Sequence, residues 1–160
     1  MRKTGPASVK VTLRMFRPSD ARSLFALIRK TLLTTNAKYY PKRFITQAIE
    51  CRRPAELKKE ARKKSVFVAR VGDRIVGTAK LSQKGWLGSL FVHPDFHHAG
   101  IGTKLVRHVL RTAKRRKLKQ VRGHSTLNAV GFYRKLGFKI GRKYAPKDRA
   151  TIFRITYLLN

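Results

Sequence analysis

The sequence has very few acidic residues and a single cysteine. Of its 160 residues, 7 are Asp or Glu and 39 are Lys or Arg, which gives a formal net charge of +32. Such a charge attracts polyanions and repels cationic ligands, without indicating which polyanion is bound. One cysteine, Cys51, excludes an intrachain disulfide and a metal site built from cysteines alone. We expect Cys51 to be a small buried residue.

Long apolar runs are also absent. No run approaches the ~18 residues that a membrane helix needs, and no apolar signal core follows the basic N-terminus. The apolar content of 42% is nevertheless typical of a globular protein. We expect a flexible basic tail over residues 1–7 and a single domain over residues 8–160, in a cytoplasmic monomer or homodimer with no membrane partner.

The periodicity of apolar residues predicts alternating strands and helices. The predicted strands cover residues 9–13, 66–71, 75–79, 86–92, 118–123, 139–142 and 150–159. The predicted helices cover about 20–33, 39–49, 55–61, 100–116 and 128–136. A loop over 144–148 joins the last two strands. The order of elements is therefore β-α-α-β-β-β-α-β-α-β-β, with a short polar helix before the second strand.

The stretch from Leu90 to Leu110 runs from a strand through a turn into a helix. Gly100 and Gly102 lack Cβ, so a ligand can approach the backbone there. The first amides of the helix have no internal partner and carry the positive end of the helix dipole, which suits a pyrophosphate. A tight strand–helix turn that binds nothing is the other interpretation of two glycines alone.

Two motifs in this order resemble those of the GNAT superfamily of N-acetyltransferases. The first reads Val92-x-Pro94, then five residues, then Gly-Ile-Gly-x-x-Leu from Gly100. The second, Leu127–Phe138, resembles the family's Asn-Ala-x-x-Phe-Tyr-x-x-x-Gly-Phe segment. The resemblance implies an α/β (mixed α+β) fold with a mixed twisted sheet flanked by helices. It also implies that strands 86–92 and 118–123 splay apart around an acetyl-CoA cleft, with no metal.

The resemblance also assigns residues to acetyl-CoA. In the family the loop within the first motif binds the pyrophosphate. The preceding strand pairs with the pantetheine arm, and one of its amides polarises the thioester carbonyl. The corresponding residues here are Leu90, Phe91, Val92, His97, His98, Ala99, Gly100, Ile101, Gly102 and Thr103. The family usually has Arg or Gln where His97 stands. Asn128 matches a residue that contacts the pantetheine arm, and it can instead cap its helix.

Tyr133 matches the family residue that protonates the leaving thiolate, although a plain core tyrosine is the other interpretation. The general base is less clear. Many family members use a glutamate on one of the two splayed strands, and neither 86–89 nor 120–123 contains one. His124, predicted just past the second of these strands, is the nearest candidate base, and a chain of waters is the alternative.

The predicted reaction is the direct transfer of an acetyl group from acetyl-CoA to an amine of a protein, a peptide or a small molecule. The alternative is a basic nucleic-acid- or ribosome-associated module that keeps the fold with weak or no catalysis. The basic runs are interpreted as solvated helix faces, and non-specific binding to polyanions is expected from the net charge alone. Lys117 stands where the family often has a glycine, a substitution that costs up to ~1 kcal/mol if φ is positive there.

Overall fold

The computed structural model describes residues 9–145, 147 and 150–160. The predicted tail over residues 1–7 lies outside them, as do residues 146 and 148 of the predicted 144–148 loop. No helix in these ranges is long and apolar enough to cross a membrane. Within the described residues, seven strands and five α-helices follow one another: β1 Thr12–Met15, α1 Ala21–Thr34, α2 Lys42–Glu50, α3 Pro54–Ala61, β2 Ser65–Val71, β3 Arg74–Leu81, β4 Leu87–Val92, α4 Ile101–Arg115, β5 Gln120–Thr126, α5 Val130–Lys135, β6 Lys139–Tyr144 and β7 Ile152–Leu158.

The strands form two antiparallel sheets, with the orders β1-β2-β3-β4 and β5-β7-β6. They meet at a parallel bridge between Trp86 and Arg122, where the Arg122 amide donates to the Gly85 carbonyl at 2.9 Å. A Cβ on Gly123 would lie 2.9 Å from the Leu87 carbonyl oxygen, so the strands approach closely only because this residue is glycine. Beyond this junction β4 and β5 separate, which confirms the splayed pair.

Helices cover both faces of the first sheet. The stripe Ile101, Leu105, Val106 and Val109 of α4 is at most 1% exposed and packs in one core cluster with β2, β3 and β5. The inner face of α1 forms the other cluster with α2, α3 and the opposite side of β2 and β3. The apolar spacing of these helices thus places the sheet between them. Because both faces of the sheet are covered, the loops at the ends of β4 and β5 are left for a binding site.

Several predicted boundaries shift. The first strand begins at Thr12, not at Val9, and Val9 is 45% exposed. The predicted 118–123 strand is β5, Gln120–Thr126, so His124 lies within the strand. These differences arise because pairing with β2 and with β7 determines where β1 and β5 begin and end. The alternation of apolar residues within one strand does not indicate which residues of its partner it will pair with.

The prediction of a buried Cys51 is wrong, since this residue is exposed. α2 ends at Glu50, and Cys51 is its C-cap. The chain turns there, and the guanidinium of Arg52 lies 5.7 Å from the centre of the Phe91 ring. The helical stripe of Ile45 and Ala48 is therefore continued by Arg52 and not by the cysteine.

Lys117 has φ of 58°, in the left-handed region. We expect Lys117→Gly to raise the free energy of unfolding by up to about 1 kcal/mol, because glycine adopts this φ without crowding of a Cβ. The urea midpoint at constant m-value measures the gain. Lys119→Gly is the control. Lys119 lies in the same connection between α4 and β5 but has no positive φ, so the added freedom of glycine there is expected to lower the urea midpoint. A midpoint for Lys117→Gly at or below the parent's contradicts the prediction.

Candidate active site

A cleft opens where β4 and β5 separate, and it brings together residues that are distant in the sequence. Its walls are the C-terminal end of α1, part of α2, strand β4, the end of β5 and helix α5. The sequence-predicted residues that line it are Leu90, Phe91, Val92, His97, His124, Asn128 and Tyr133. The others, His98, Ala99, Gly100, Ile101, Gly102 and Thr103, lie in the loop and first turn that follow β4. The two motifs thus meet in one region.

Strand β4 carries a bulge in the wall of this cleft. Thr78 pairs with Phe91 and Lys80 pairs with Gly88, so Ser89 and Leu90 both stand opposite the single residue between Thr78 and Lys80. Ser89 has φ of 49°. A bulge leaves its extra residue outside the regular ladder and re-aims the backbone there. The sequence did not predict this feature, which presents backbone polar groups beside the cleft.

Gly100 is the N-cap of α4, with φ of 77° and a carbonyl that accepts from the Lys104 amide at 3.1 Å. A Cβ on Gly100 would meet nothing within 4 Å, so this position faces open space. His98, two residues earlier, also has a positive φ of 64°. The first amides of the helix that follows have no partner within the helix, and such amides at an open helix start suit an anion.

Gly102 lies where α4 meets α5. A Cβ there would lie 3.3 Å from the ring of Phe132, so the missing side chain lets α5 pack closely against α4. The side chain of Ile101 is 1% exposed and belongs to the core. A ligand at these two positions would therefore contact their backbone amides and not a side chain.

Two histidines hold the turn after β4 in place. The Nε2 atom of His97 lies 3.0 Å from the Val92 carbonyl oxygen, so its imidazole is bonded to the strand. His93 is 4% exposed, and its Nδ1 accepts from the Asp95 amide at 3.1 Å. No cluster of three or more His, Cys, Asp or Glu that could hold a metal occurs among the described residues.

Tyr133 is a core residue and also lines the cleft, so its position fits both the plain core tyrosine and the residue near the leaving thiolate. Its side chain is 6% exposed and packs edge-on against Phe138, with ring centres 5.3 Å apart, yet the residue also lines the cleft. Burial, and then the nearby Tyr40, raise the pKa of its phenol well above the usual range. The hydroxyl consequently stays protonated at neutral pH and is able to donate a proton.

His124 is exposed on β5 and stacks edge-on against Trp86, with ring centres 4.8 Å apart. Partial burial and then the charge of Arg154 lower its pKa, so the imidazole is neutral at pH 7. Neutral imidazole can accept a proton. No Asp or Glu is among the residues that line this cleft in the described part of the chain.

Asn128 is exposed in a short 3₁₀ turn, Leu127–Ala129, that precedes α5. Ala129 is the N-cap of α5 and no side chain caps that helix, so the capping role predicted as one alternative is wrong. The helix begins later than the predicted 128–136 because the chain must first leave β5. Asn128 lines the cleft, which leaves its amide for a bound molecule.

Sequence reasoning missed the residues that α2 and its approach contribute. Tyr40 and Phe44 stack with ring centres 4.7 Å apart and, with Arg52, also line the cleft. The spacing of four between the two aromatic residues was visible, but it is equally typical of a helix that faces the core. Nothing in the sequence connected them with β4.

The chain matches the family described as acetyltransferase (GNAT) domain over residues 33–147, which include both motifs. It therefore belongs to the GNAT acetyltransferase family. A GCN5-related N-acetyltransferase from Rhodopseudomonas palustris shares its fold with a TM-score of 0.85 at 19% identity, covering 97% of this chain and 99% of that one. The fold thus agrees with the arrangement that the resemblance implied.

Two further solved structures were determined with ligands. The PaiA N-acetyltransferase from Thermoplasma acidophilum, in complex with coenzyme A, gives a TM-score of 0.79 at 20% identity over 94% of this chain and 99% of that chain. A putative acetyltransferase, yncA from Salmonella typhimurium, with its cofactor acetyl-CoA, gives 0.69 at 17% identity over 94% of each chain. At these identities the likeness concerns the fold.

Proposed function

We propose that this protein transfers an acetyl group from acetyl-CoA directly to an amine of a protein, a peptide or a small molecule. The observation that carries the proposal is the meeting, in one cleft, of a bulged strand, a neutral histidine and a protonated tyrosine beside an open anion-binding turn. The family supports acyl transfer as the class of reaction.

The turn before α4 fits the pyrophosphate of acetyl-CoA. Gly100 faces open space, and the amides that follow it belong to the first turn of a 15-residue helix. The described residues near this helix start include one acid, Asp95, whose side chain is 66% exposed. An anion there gains from the helix dipole without a nearby buried negative charge to oppose it.

The bulge of β4 fits the pantetheine arm. Ser89 and Leu90 share one partner position on β3, so their backbone groups are not all used within the sheet. Asn128 lies across the cleft with a side-chain amide that can donate and accept. These groups would hold the arm in an extended form, and a backbone amide of the bulge would polarise the carbonyl under attack.

Tyr133 and His124 supply the proton transfers. Acetyl-CoA supplies the thioester, whose sulfur leaves as a thiolate. Tyr133 would donate its phenolic proton to that sulfur, because it lines the cleft and matches the family's proton donor. Its raised pKa keeps the phenol protonated and also makes it a weaker acid, so the transfer relies on contact with the basic thiolate as it forms. An alkyl ammonium with pKa ~10.4 must lose a proton before the amine attacks, and His124, neutral at pH 7, or a water accepts it.

A CoA-release assay against a panel of amines and peptide N-termini, run beside a calorimetric titration with acetyl-CoA, tests the proposal. We expect saturable binding of acetyl-CoA and release of CoA that depends on the acceptor. Absence of acetyl-CoA binding would end the acetyltransferase proposal and leave the nucleic-acid-associated module, for which the comparisons provide no support.

The basic runs at the ends of α3 and α4 adjoin each other in the structure. Arg62, Lys63, Lys64 and Arg116 line one shallow depression, and the Arg116 guanidinium contacts the Ser65 hydroxyl. We expect duplex DNA to bind non-specifically, at about 10⁻⁴–10⁻⁶ M in physiological salt, with a log affinity that falls by ~0.9 per neutralised phosphate for each log unit of salt.

Fluorescence anisotropy across a salt series, with DNA, RNA and heparin, measures this binding. Neutralising Arg62, Lys63 and Lys64 together is expected to reduce the salt slope similarly for all three polyanions. Submicromolar binding to one of them at 0.15 M salt would contradict the non-specific interpretation and would indicate a functional partner.

A further inference from the structure

Arg52 places a cation in the wall of the cleft without a carboxylate to pair with it. Its Nη1 atom donates to the Ala48 carbonyl at 2.9 Å, and its guanidinium lies over the Phe91 ring. Its Nε atom is shielded from solvent and has no hydrogen-bond partner. None of the ion pairs among the described residues includes Arg52.

The carboxylate nearest to Arg52 is already shared. Glu60 contacts the ammonium of Lys80, whose side chain is 4% exposed, and pairs with Lys64 at 3.0 Å. Burial lowers the pKa of Arg52, while Glu60 acts in the opposite direction. One acid therefore serves three cations, and this side of the cleft keeps an excess of positive charge that is costly to bury without a partner.

The position of Arg52 connects it with the acceptor. It lines both the main cleft and a second cavity, whose lining includes Gln47, Lys80 and Ser89 and one carboxylate, the Glu60 that Lys80 and Lys64 already engage. Ser89 belongs to the β4 bulge and, like Tyr133 of α5, also lines the main cleft. A molecule held in the second cavity would thus reach the bulge from the side of α2, away from the turn before α4.

We infer that the acceptor carries, besides its amine, an anionic group (a carboxylate or a phosphate) that binds the Arg52 guanidinium. This inference rests on the proposed acetyl transfer. Arginine presents a fork of donors that matches such oxygen anions. Among the described residues Nη2 of Arg52 has no hydrogen bond and, unlike Nε, is not shielded from solvent, so it is the donor that an acceptor can reach. The net charge of +32 favours the same class, because it attracts anionic acceptors and repels polycationic ones.

Matched pairs of acceptors that differ in the anion test the inference. Alanine with alaninamide and β-alanine with β-alaninamide examine a carboxylate, and phosphoethanolamine with ethanolamine examines a phosphate. We expect the anionic member of at least one pair to have a kcat/KM higher by about 10–100-fold, the usual worth of hydrogen bonds to a charged group. Arg52→Gln is expected to turn over both members of that pair with similar kcat/KM.

Arg53→Gln is the matched control. It removes the same charge from the adjacent residue, whose side chain is exposed and pairs with Glu50 at 2.8 Å outside the cleft. This variant should keep the preference for the anion. If it loses the preference as Arg52→Gln does, the overall charge and not the Arg52 fork selects the acceptor, and the inference is wrong.

Arg52 also bonds to the last turn of α2, so Arg52→Gln is first compared with the parent in thermal denaturation. Should it not fold, Arg52→Lys, which keeps one charge without the fork, is expected to retain a reduced preference. Equal kcat/KM for both members of every pair in the parent, or a full preference in a folded Arg52 variant, would overturn the inference.

A calorimetric titration of the same pairs into the protein saturated with CoA provides a reading that needs no turnover. We expect the anionic member to bind about 10–100-fold more tightly to the parent and not to Arg52→Gln. Absence of turnover with every acceptor counts against the proposed acetyl transfer, whereas equal binding of both members counts against the anionic acceptor.

Discussion

Replacing Tyr133 with phenylalanine is expected to lower the rate of the chemical step by about 10²–10⁴-fold, the usual contribution of a general acid. Acetyl-CoA should bind nearly as tightly as before. The substitution keeps the ring, which packs against Phe132 and Phe138, and removes a hydroxyl that makes no hydrogen bond among the described residues. Folding stability should therefore change little, and the loss should appear in kcat.

Single-turnover kinetics with saturating acceptor measure this step, and calorimetry measures the affinity for acetyl-CoA. Tyr144→Phe is the control, because this substitution removes the same hydroxyl from a residue outside the cleft. Tyr144 is on β6 and is 60% exposed. We expect the control to match the parent. A parent-like chemical rate in Tyr133→Phe would remove Tyr133 from the mechanism.

The expected dependence of kcat/KM on pH follows from the pKa shifts of Tyr133 and His124. The pKa of Tyr133 is raised, so the phenol keeps its proton throughout the neutral range and should produce no loss of rate as pH rises toward 9. The pKa of His124 is lowered from its ordinary 6.5, so its neutral form, which accepts the proton, is lost only below that value. A rate that falls already between pH 8 and 7 reflects the acceptor amine.

Replacing Gly100 with glutamate is expected to weaken acetyl-CoA binding by roughly 100-fold or more. The new carboxylate would stand where the pyrophosphate is proposed, and like charges ~4 Å apart near a protein surface repel by about 4 kcal/mol. The position faces open space, since a Cβ built there meets nothing within 4 Å. The φ of 77° adds a backbone cost of about 1–2 kcal/mol, which a stable domain tolerates.

Gly100→Gln separates charge from backbone strain, because it has the same shape and φ penalty without the negative charge. Calorimetric titrations of both variants with acetyl-CoA give the comparison. We expect Gly100→Gln to lose clearly less affinity than Gly100→Glu. Equal affinities for the parent and Gly100→Glu would show that acetyl-CoA binds elsewhere.

The sequence by itself determined the order of the elements and the turn before α4. The stripe Ile101, Leu105, Val109 predicts a helix that must bury one face, and Gly100 marks its start at a position whose φ favours glycine. These are local properties, since the residues that decide them are a few positions apart. The motif containing Tyr133 is local in the same way, and it too lies in the cleft.

The bulge of β4 and the charged residues near it, by contrast, depend on tertiary packing. The extra residue at Ser89 is set by how β4 pairs with β3, and a period-2 pattern cannot show a register shift. Arg52 is turned inward by the end of α2, and Glu60 meets Lys80 across 20 positions of sequence. Such contacts depend on how separate elements pack, and for this reason the proposed acceptor side of the cleft was invisible in the sequence while its acetyl-CoA side was not.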